Sequence, residues 1–150
     1  MKILIVTQSI DSRDPALGFF HRWVLEFAKD FEAVTVIALR KGETSLPGNV
    51  TVLSLGKEEG ASRFEYVRRF YSYIWRKRDL YDAVFVHMNP EYVVLGGILW
   101  KMLGKKVILW YMHRSVNLKL HFATLLAAAV ATGSMESFRI MSGKVRVLGH

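Results

Sequence analysis

The sequence contains no cysteine, only three prolines and no long apolar run. Without cysteine there is no disulfide framework and no thiolate metal site, which excludes a stapled secreted scaffold. The longest apolar stretch, Phe122 to Ala131 with one threonine in it, is about half of the roughly 20 residues a spanning helix needs. Acidic residues are scarce as well. Lys plus Arg number 21 against 13 Asp plus Glu, a formal net charge of +8. Such a balance predicts an anionic partner: nucleic acid, a phosphorylated ligand or an acidic membrane surface. Several signatures are missing too. There is no G-x-G-x-x-G, no phosphate-binding G-x-x-x-x-G-K-[ST], no G-x-S-x-G elbow and no His-Glu-x-x-His. Their absence leaves classical dinucleotide binding, P-loop hydrolysis, serine hydrolysis and zinc hydrolysis without support. What remains is ordinary globular composition, with 51% hydrophobic and 23% charged residues. A chain of 150 residues buries enough surface for one good core.

Short apolar runs alternate with longer helical patterns. The opening MKILIVTQSI has a short apolar centre and no small-residue cleavage site after it, so it reads as a strand rather than a leader. The protein is accordingly expected in the cytoplasm. Strands are predicted at Ile3 to Val6, Val34 to Ala38, Val50 to Leu55, Ala83 to Val86, Val107 to Trp110, Ala127 to Thr132 and Val145 to Leu148. Helices are predicted from Phe19 to Phe31, Ser62 to about Lys77, Asn89 to Leu103, Val116 to about Leu126 and Ser134 to Ile140. Asn89-Pro90-Glu91 reads as a helix start, with Asn as cap, Pro where no N–H is needed and Glu at the positive end of the dipole. In the second helix Phe64, Val67, Phe70, Tyr71, Ile74 and Trp75 share one arc, predicted to face the core, while Arg68, Arg69 and Arg76 fall on the other side. This alternation predicts a Rossmann-like α/β fold: a doubly wound, mostly parallel sheet with helices on both faces, formed by residues 1–150 as a single domain.

In such sheets ligands bind beyond the carboxyl ends of the strands. The candidates there are the loop Thr7 to Gly18, then His87-Met88-Asn89-Pro90, Tyr111-Met112-His113-Arg114, Gly133-Ser134-Met135-Glu136 and Gly149-His150. Three of the five histidines (His87, His113 and His150) follow strands; each is either a ligand or a loop residue paired to backbone. Gly18 opens a helix whose N–H groups either face an anion or merely close a tight turn. Asp11 and Asp14 share one loop, a weak pattern for a metal. The basic and aromatic helix offers either a solvated face or an amphipathic surface for anionic lipid, carried by Arg68, Arg69 and Arg76. Nucleic acid is the less favoured partner, because no helix-turn-helix or RNP motif accompanies the charge.

The ordered strand-end motifs resemble the N-terminal domain of a GT-B fold glycosyltransferase, nearest to retaining family 4. They are MKILIVTQSI, the loop reaching Gly18, VFVHMNP, VILWYMH, ATGSMES and KVRVLGH, and together they span nearly the whole chain. The resemblance implies transfer of a sugar from a nucleotide-diphosphate donor to an acceptor hydroxyl, with retention and without a bound metal or cofactor; the nucleotide sugar is a co-substrate. It makes His113 the residue beside the reacting sugar, Gly18 part of the donor-phosphate loop, and His87, Asn89 and Arg114 the acceptor side. It departs from the family where Leu17-Gly18 stands for the usual glycine pair. It also implies a C-terminal donor-binding domain or subunit as partner, without which the chain is inactive, and a lipid-linked acceptor at the inner face of a membrane. An uncovered cleft face bearing Met88, Met112 and Met135 predicts a homodimer. The reading from residues alone also leaves open a stand-alone module that binds a phosphorylated ligand or anionic lipid.

Overall fold

The computed structural model describes residues 1–140 and 142–148; Gly149 and His150, named above as a strand-end candidate, lie outside the described residues. The chain forms two compact units, Met1–Asp82 and Ala83–His150.

In the first unit β1 (Lys2–Ile10) pairs in parallel with β2 (Ala33–Lys41), which pairs in parallel with β3 (Val50–Ser54). Successive residues of β1 and β2 are buried, because both faces of these strands are covered. Helix α1 (Gly18–Asp30) packs on β1 and β2 through Phe20, His21 and Val24. Helix α2 (Arg63–Arg76) is capped by Ser62, whose hydroxyl accepts from the Glu65 amide. Its packing face differs from the predicted arc. Phe70 and Ile74 are buried, but Phe64, Val67, Tyr71 and Trp75 are exposed. The helix is rolled so that Tyr66, Arg69 and Tyr73 come half under cover instead. Polar ends decide this roll: the Tyr73 hydroxyl donates to the Ser54 carbonyl at 2.9 Å, and Arg69 meets Glu59 and Glu65. An amphipathic side chain buries its body only when its tip finds a partner.

In the second unit β4 (Ala83–His87), β5 (Lys106–Trp110), β6 (Ala129–Thr132) and β7 (Val145–Val147) pair in parallel in that order. Helix α3 (Pro90–Met102) ends as predicted at Gly104, whose φ of 72° suits glycine. Helix α4 (Leu118–Leu126) starts two residues later than predicted, because the Asn117 side chain accepts from the Leu120 amide at 2.9 Å and sets the boundary. Gly97 lets α3 and α4 approach closely: a Cβ there would lie 2.9 Å from Cβ of Leu126. The predicted helix Ser134 to Ile140 is only a single turn, Met135–Ser137. Ser134 makes no cap to it and instead shares a hydrogen bond with the Ser137 hydroxyl. Trp100, Leu109, Leu120 and Phe138 fill the core of this unit. Every strand pairing within the two units is parallel and helices alternate with strands, which is the predicted Rossmann-like α/β class. Among the described residues, no helix is long and apolar enough to cross a membrane.

Candidate functional site

The ends of β4 and β5 build a hollow of about 300 Å³ lined by Met88, Pro90, Glu91, Tyr111, His113, Ser115, Asn117 and Lys119. Its two walls are fixed locally. Behind one wall, His87 ends β4 in the buried interior, and burial holds its imidazole down to about 4, so the ring is neutral near pH 7. Met88 then takes a left-handed φ of 67°, unusual for a residue with a side chain. This turn folds Asn89 back, so that its amide and its side chain both donate to the His87 carbonyl, at 2.9 and 3.3 Å. Asn89 therefore stands at the start of α3, as predicted, without capping it through its side chain.

The other wall begins at Tyr111, which is buried edge-on against Phe138 and His113. Its hydroxyl donates to the Ser115 carbonyl at 3.1 Å, and burial, with Glu91 nearby, pushes the phenol's pKa up, so it stays protonated. His113 is exposed. Its backbone is tied to the Ser137 carbonyl at 3.1 Å, and its Nδ1 accepts from the Ser115 amide at 3.0 Å. An acceptor at Nδ1 puts the proton of the neutral ring on Nε2, so the ring is a directed donor there. One imidazole N–H, one ammonium (Lys119) and one carboxylate (Glu91) thus meet around an open hollow. That set suits a polar, hydroxyl-bearing ligand with an anionic group. The hollow takes in His113 but not His87, Asn89 or Arg114 among its lining residues. Of the three methionines, Met135 is strongly exposed while Met88 and Met112 are half-buried. Met88 Sδ accepts from the Met112 amide at 3.3 Å.

In the first unit the loop before Gly18 is closed on itself. Asp11 Oδ1 accepts from the amides of Arg13 and Glu43, and Asp14 Oδ1 from those of Ala16 and Leu17. Arg40 lies between the two carboxylates, 3.8 Å from Asp11 and 3.6 Å from Asp14. The Leu17 and Ala16 amides, helped by Arg40, hold the Asp14 carboxyl below the usual range. The Gly18 amide donates to the Asp14 carbonyl at 2.9 Å, so it is spent inside this turn. Among the described residues no three His, Cys, Asp or Glu side chains gather as metal ligands. On α2, Arg68 forks onto Glu65 with bonds of 3.1 and 2.8 Å, and Arg69 pairs with Glu59 and Glu65. Arg76 is exposed and makes no ion pair among the described residues.

Sequence reasoning named Tyr111 among the strand-end candidates but missed Ser115, Asn117 and Lys119, which sit in a stretch with no strand-end signal. Only the fold-back of the Tyr111–Asn117 segment brings them to the hollow.

No family model matches the sequence, and no curated protein matches it. Solved structures share the fold. HepE of Anabaena in complex with UDP is 14% identical, with a TM-score of 0.63 over 99% of this chain and 44% of that one. MurG of Acinetobacter baumannii is 12% identical, with a TM-score of 0.64 over 98% of this chain and 45% of that one. A UDP-GlcNAc 2-epimerase of Methanocaldococcus jannaschii is 11% identical, with a TM-score of 0.61 over 98% and 45%. At such identities the likeness is one of fold, and the chain spans less than half the length of each of these proteins. The fold of this chain is the Rossmann-like half of a GT-B fold.

Proposed function

We propose that this chain is the acceptor-side half of a GT-B glycosyltransferase, of the retaining family 4 kind, that moves a sugar from a nucleotide-diphosphate donor to an acceptor hydroxyl. The observation that carries the reading is the match of the chain, nearly end to end, to about 44% of the HepE structure. HepE is described in complex with UDP and with UDP-glucose. A half of this size needs a C-terminal donor-binding domain or subunit to close over the nucleotide. In this reading His113 donates from Nε2 to the sugar at the reacting centre, and the hydrogen bond from Ser115 keeps that donor in place. Lys119 and Arg114 meet an anionic acceptor group, His87 and Asn89 shape the turn behind it, and Gly18 stands in the donor-phosphate loop. The acceptor is carried by a lipid, and the protein works at the cytoplasmic face of an anionic membrane.

The test starts with the intact mass of the polypeptide from its natural source. A mass near twice the 17.2 kDa of this chain or more is expected. With that protein and UDP-sugars, His113→Gln should lower kcat about a hundredfold while leaving donor KM nearly unchanged. Unaltered kcat would remove His113 from the reacting centre. A 17.2 kDa product with no partner subunit, binding a phosphorylated ligand without turnover, would favour the stand-alone module. The match to UDP-GlcNAc 2-epimerases favours a second outcome, release of an epimerised sugar with no acceptor consumed, which product analysis separates from transfer.

A further inference from the structure

From Tyr92 to Met135 the sequence contains no acidic residue, while it carries Lys101, Lys105, Lys106, Arg114 and Lys119. The second unit as a whole holds 8 of the 21 Lys and Arg and only two acids, Glu91 and Glu136, so 6 of the 8 net charges reside there. In the first unit Arg13, Lys29, Arg40, Arg68 and Arg69 each meet a carboxylate. The same stretch exposes apolar side chains that an isolated soluble unit has no reason to show: Ile98, Met102, Leu118, Phe122 and Leu125, with Met102 79% and Leu125 70% exposed. They come from the outer sides of α3 and α4, which Gly97 allows to pack closely. Between the two helices lies a hollow of about 350 Å³ whose lining brings Lys101, Lys105, Lys106 and Lys144 to Leu125. Lys144 is oriented by the last carbonyls of α4, to which its ammonium donates at 3.0 and 2.8 Å.

We infer that the α3–α4 face of the second unit is a docking surface for an anionic lipid bilayer. The apolar side chains enter the boundary between headgroups and acyl chains, and the lysines around them meet lipid phosphates. The charge selects this occupant. A second copy would bring the same lysines against these, and like charges repel. Nucleic acid is recognised by stacking on aromatic rings between cations, whereas four of the five exposed side chains here are aliphatic or thioether. Helix α2 is the weaker candidate despite its exposed Phe64 and Trp75, because Glu59 and Glu65 answer Arg69 and Arg68. The inference extends the membrane part of the proposal above and does not need the sugar-transfer part.

The experiment is vesicle co-sedimentation of the intact polypeptide, with phosphatidylcholine alone or with about one-third phosphatidylglycerol. Phosphatidylglycerol should raise binding at least about tenfold, and Lys101→Gln with Lys106→Gln should remove about tenfold of it. Ile98→Ser with Met102→Ser and Leu125→Ser should also cost about tenfold. These side chains are exposed, so circular dichroism should show the fold unchanged; the lysine pair tests the surface independently if it does not. Arg68→Gln with Arg76→Gln should change binding less than about twofold. Binding indifferent to phosphatidylglycerol overturns the inference. So does a loss that follows the α2 variants and spares α3–α4, or capture of nucleic acid in preference to vesicles. Vesicle binding without sugar transfer would reject the sugar-transfer reading alone, and transfer to a soluble acceptor without vesicle binding would reject this inference and the membrane part of the proposal while leaving sugar transfer standing.

Discussion

Of the chain's 13 acidic residues, 11 fall in the unit that ends at Asp82 and two in the unit that follows. The first unit uses them. Asp11 and Asp14 close the loop after β1 and take Arg40 between them, Glu43 reaches Arg13, and Glu65 holds Arg68. The second unit closes its corresponding loops through Tyr111, Asn117 and the Nδ1 of His113, while the Lys144 ammonium donates to backbone carbonyls of α4. The contrast teaches that both units obtain the same fold by different means. One closes these loops with carboxylates; the other closes them with a phenol, a carboxamide and an imidazole.

The largest expected effect tests the neutral interior of the second unit. His87 titrates near 6.5 in an unfolded chain and at about 4 when folded. Between those values the unfolded state binds the extra proton, so stability falls as pH drops through that window and is unaffected above it. The loss should approach about 3 kcal/mol at pH 4. Urea unfolding at pH 7 and 4.5 measures it, and His87→Gln should flatten the difference; an equally steep fall in the variant would exonerate the histidine.

Next comes the carboxylate hub of the first unit. A Cβ on Gly42 would run into the Asp11 carboxyl, so Gly42→Ala should cost about 2 kcal/mol in thermal unfolding. Wild-type stability in that variant would mean Asp11 is free to move and the loop is not closed as described. In the second unit, Asn117→Ala removes the cap of α4 and should cost about 1 kcal/mol. Hydrogen exchange should rise in the first turn of α4 and not in α3. Smallest of all, Arg68→Ala should leave the melting temperature unchanged, since its pair with Glu65 is exposed and worth little. A clear drop would show that surface pairs in the first unit bear more weight than their exposure allows.

Much of the fold was readable from local pattern. Continuous apolar runs marked β1, β2 and β4, because strands covered on both faces cannot alternate. Pro90 and Gly104 marked the two ends of α3 for steric reasons that act within a few residues. The pattern misled where two faces of a helix were both part-apolar. The arc of α2 contained Phe64 and Trp75, yet the sheet side took Phe70 and Ile74 together with half-buried Tyr73, whose hydroxyl found the Ser54 carbonyl across the unit. Ser134 misled as well, since a capping residue starts no helix when Ser137 engages its hydroxyl first. Of the expected site, His113 was legible as a histidine just past β5. Lys119 and Asn117 were not, because nothing in their own sequence says that they return to the strand ends.

The sequence by itself determined the alternation of strands and helices, most of their boundaries and the excess of positive charge, since these follow from the periodicity of apolar residues and from simple counts. Only the tertiary structure decided which side chains share a surface. The burial that keeps His87 neutral, the roll of α2 and the gathering of lysines beside Leu125 all depend on contacts between residues distant in the chain. Such contacts are selected by packing and by pairing of polar tips, which no window of neighbouring residues contains.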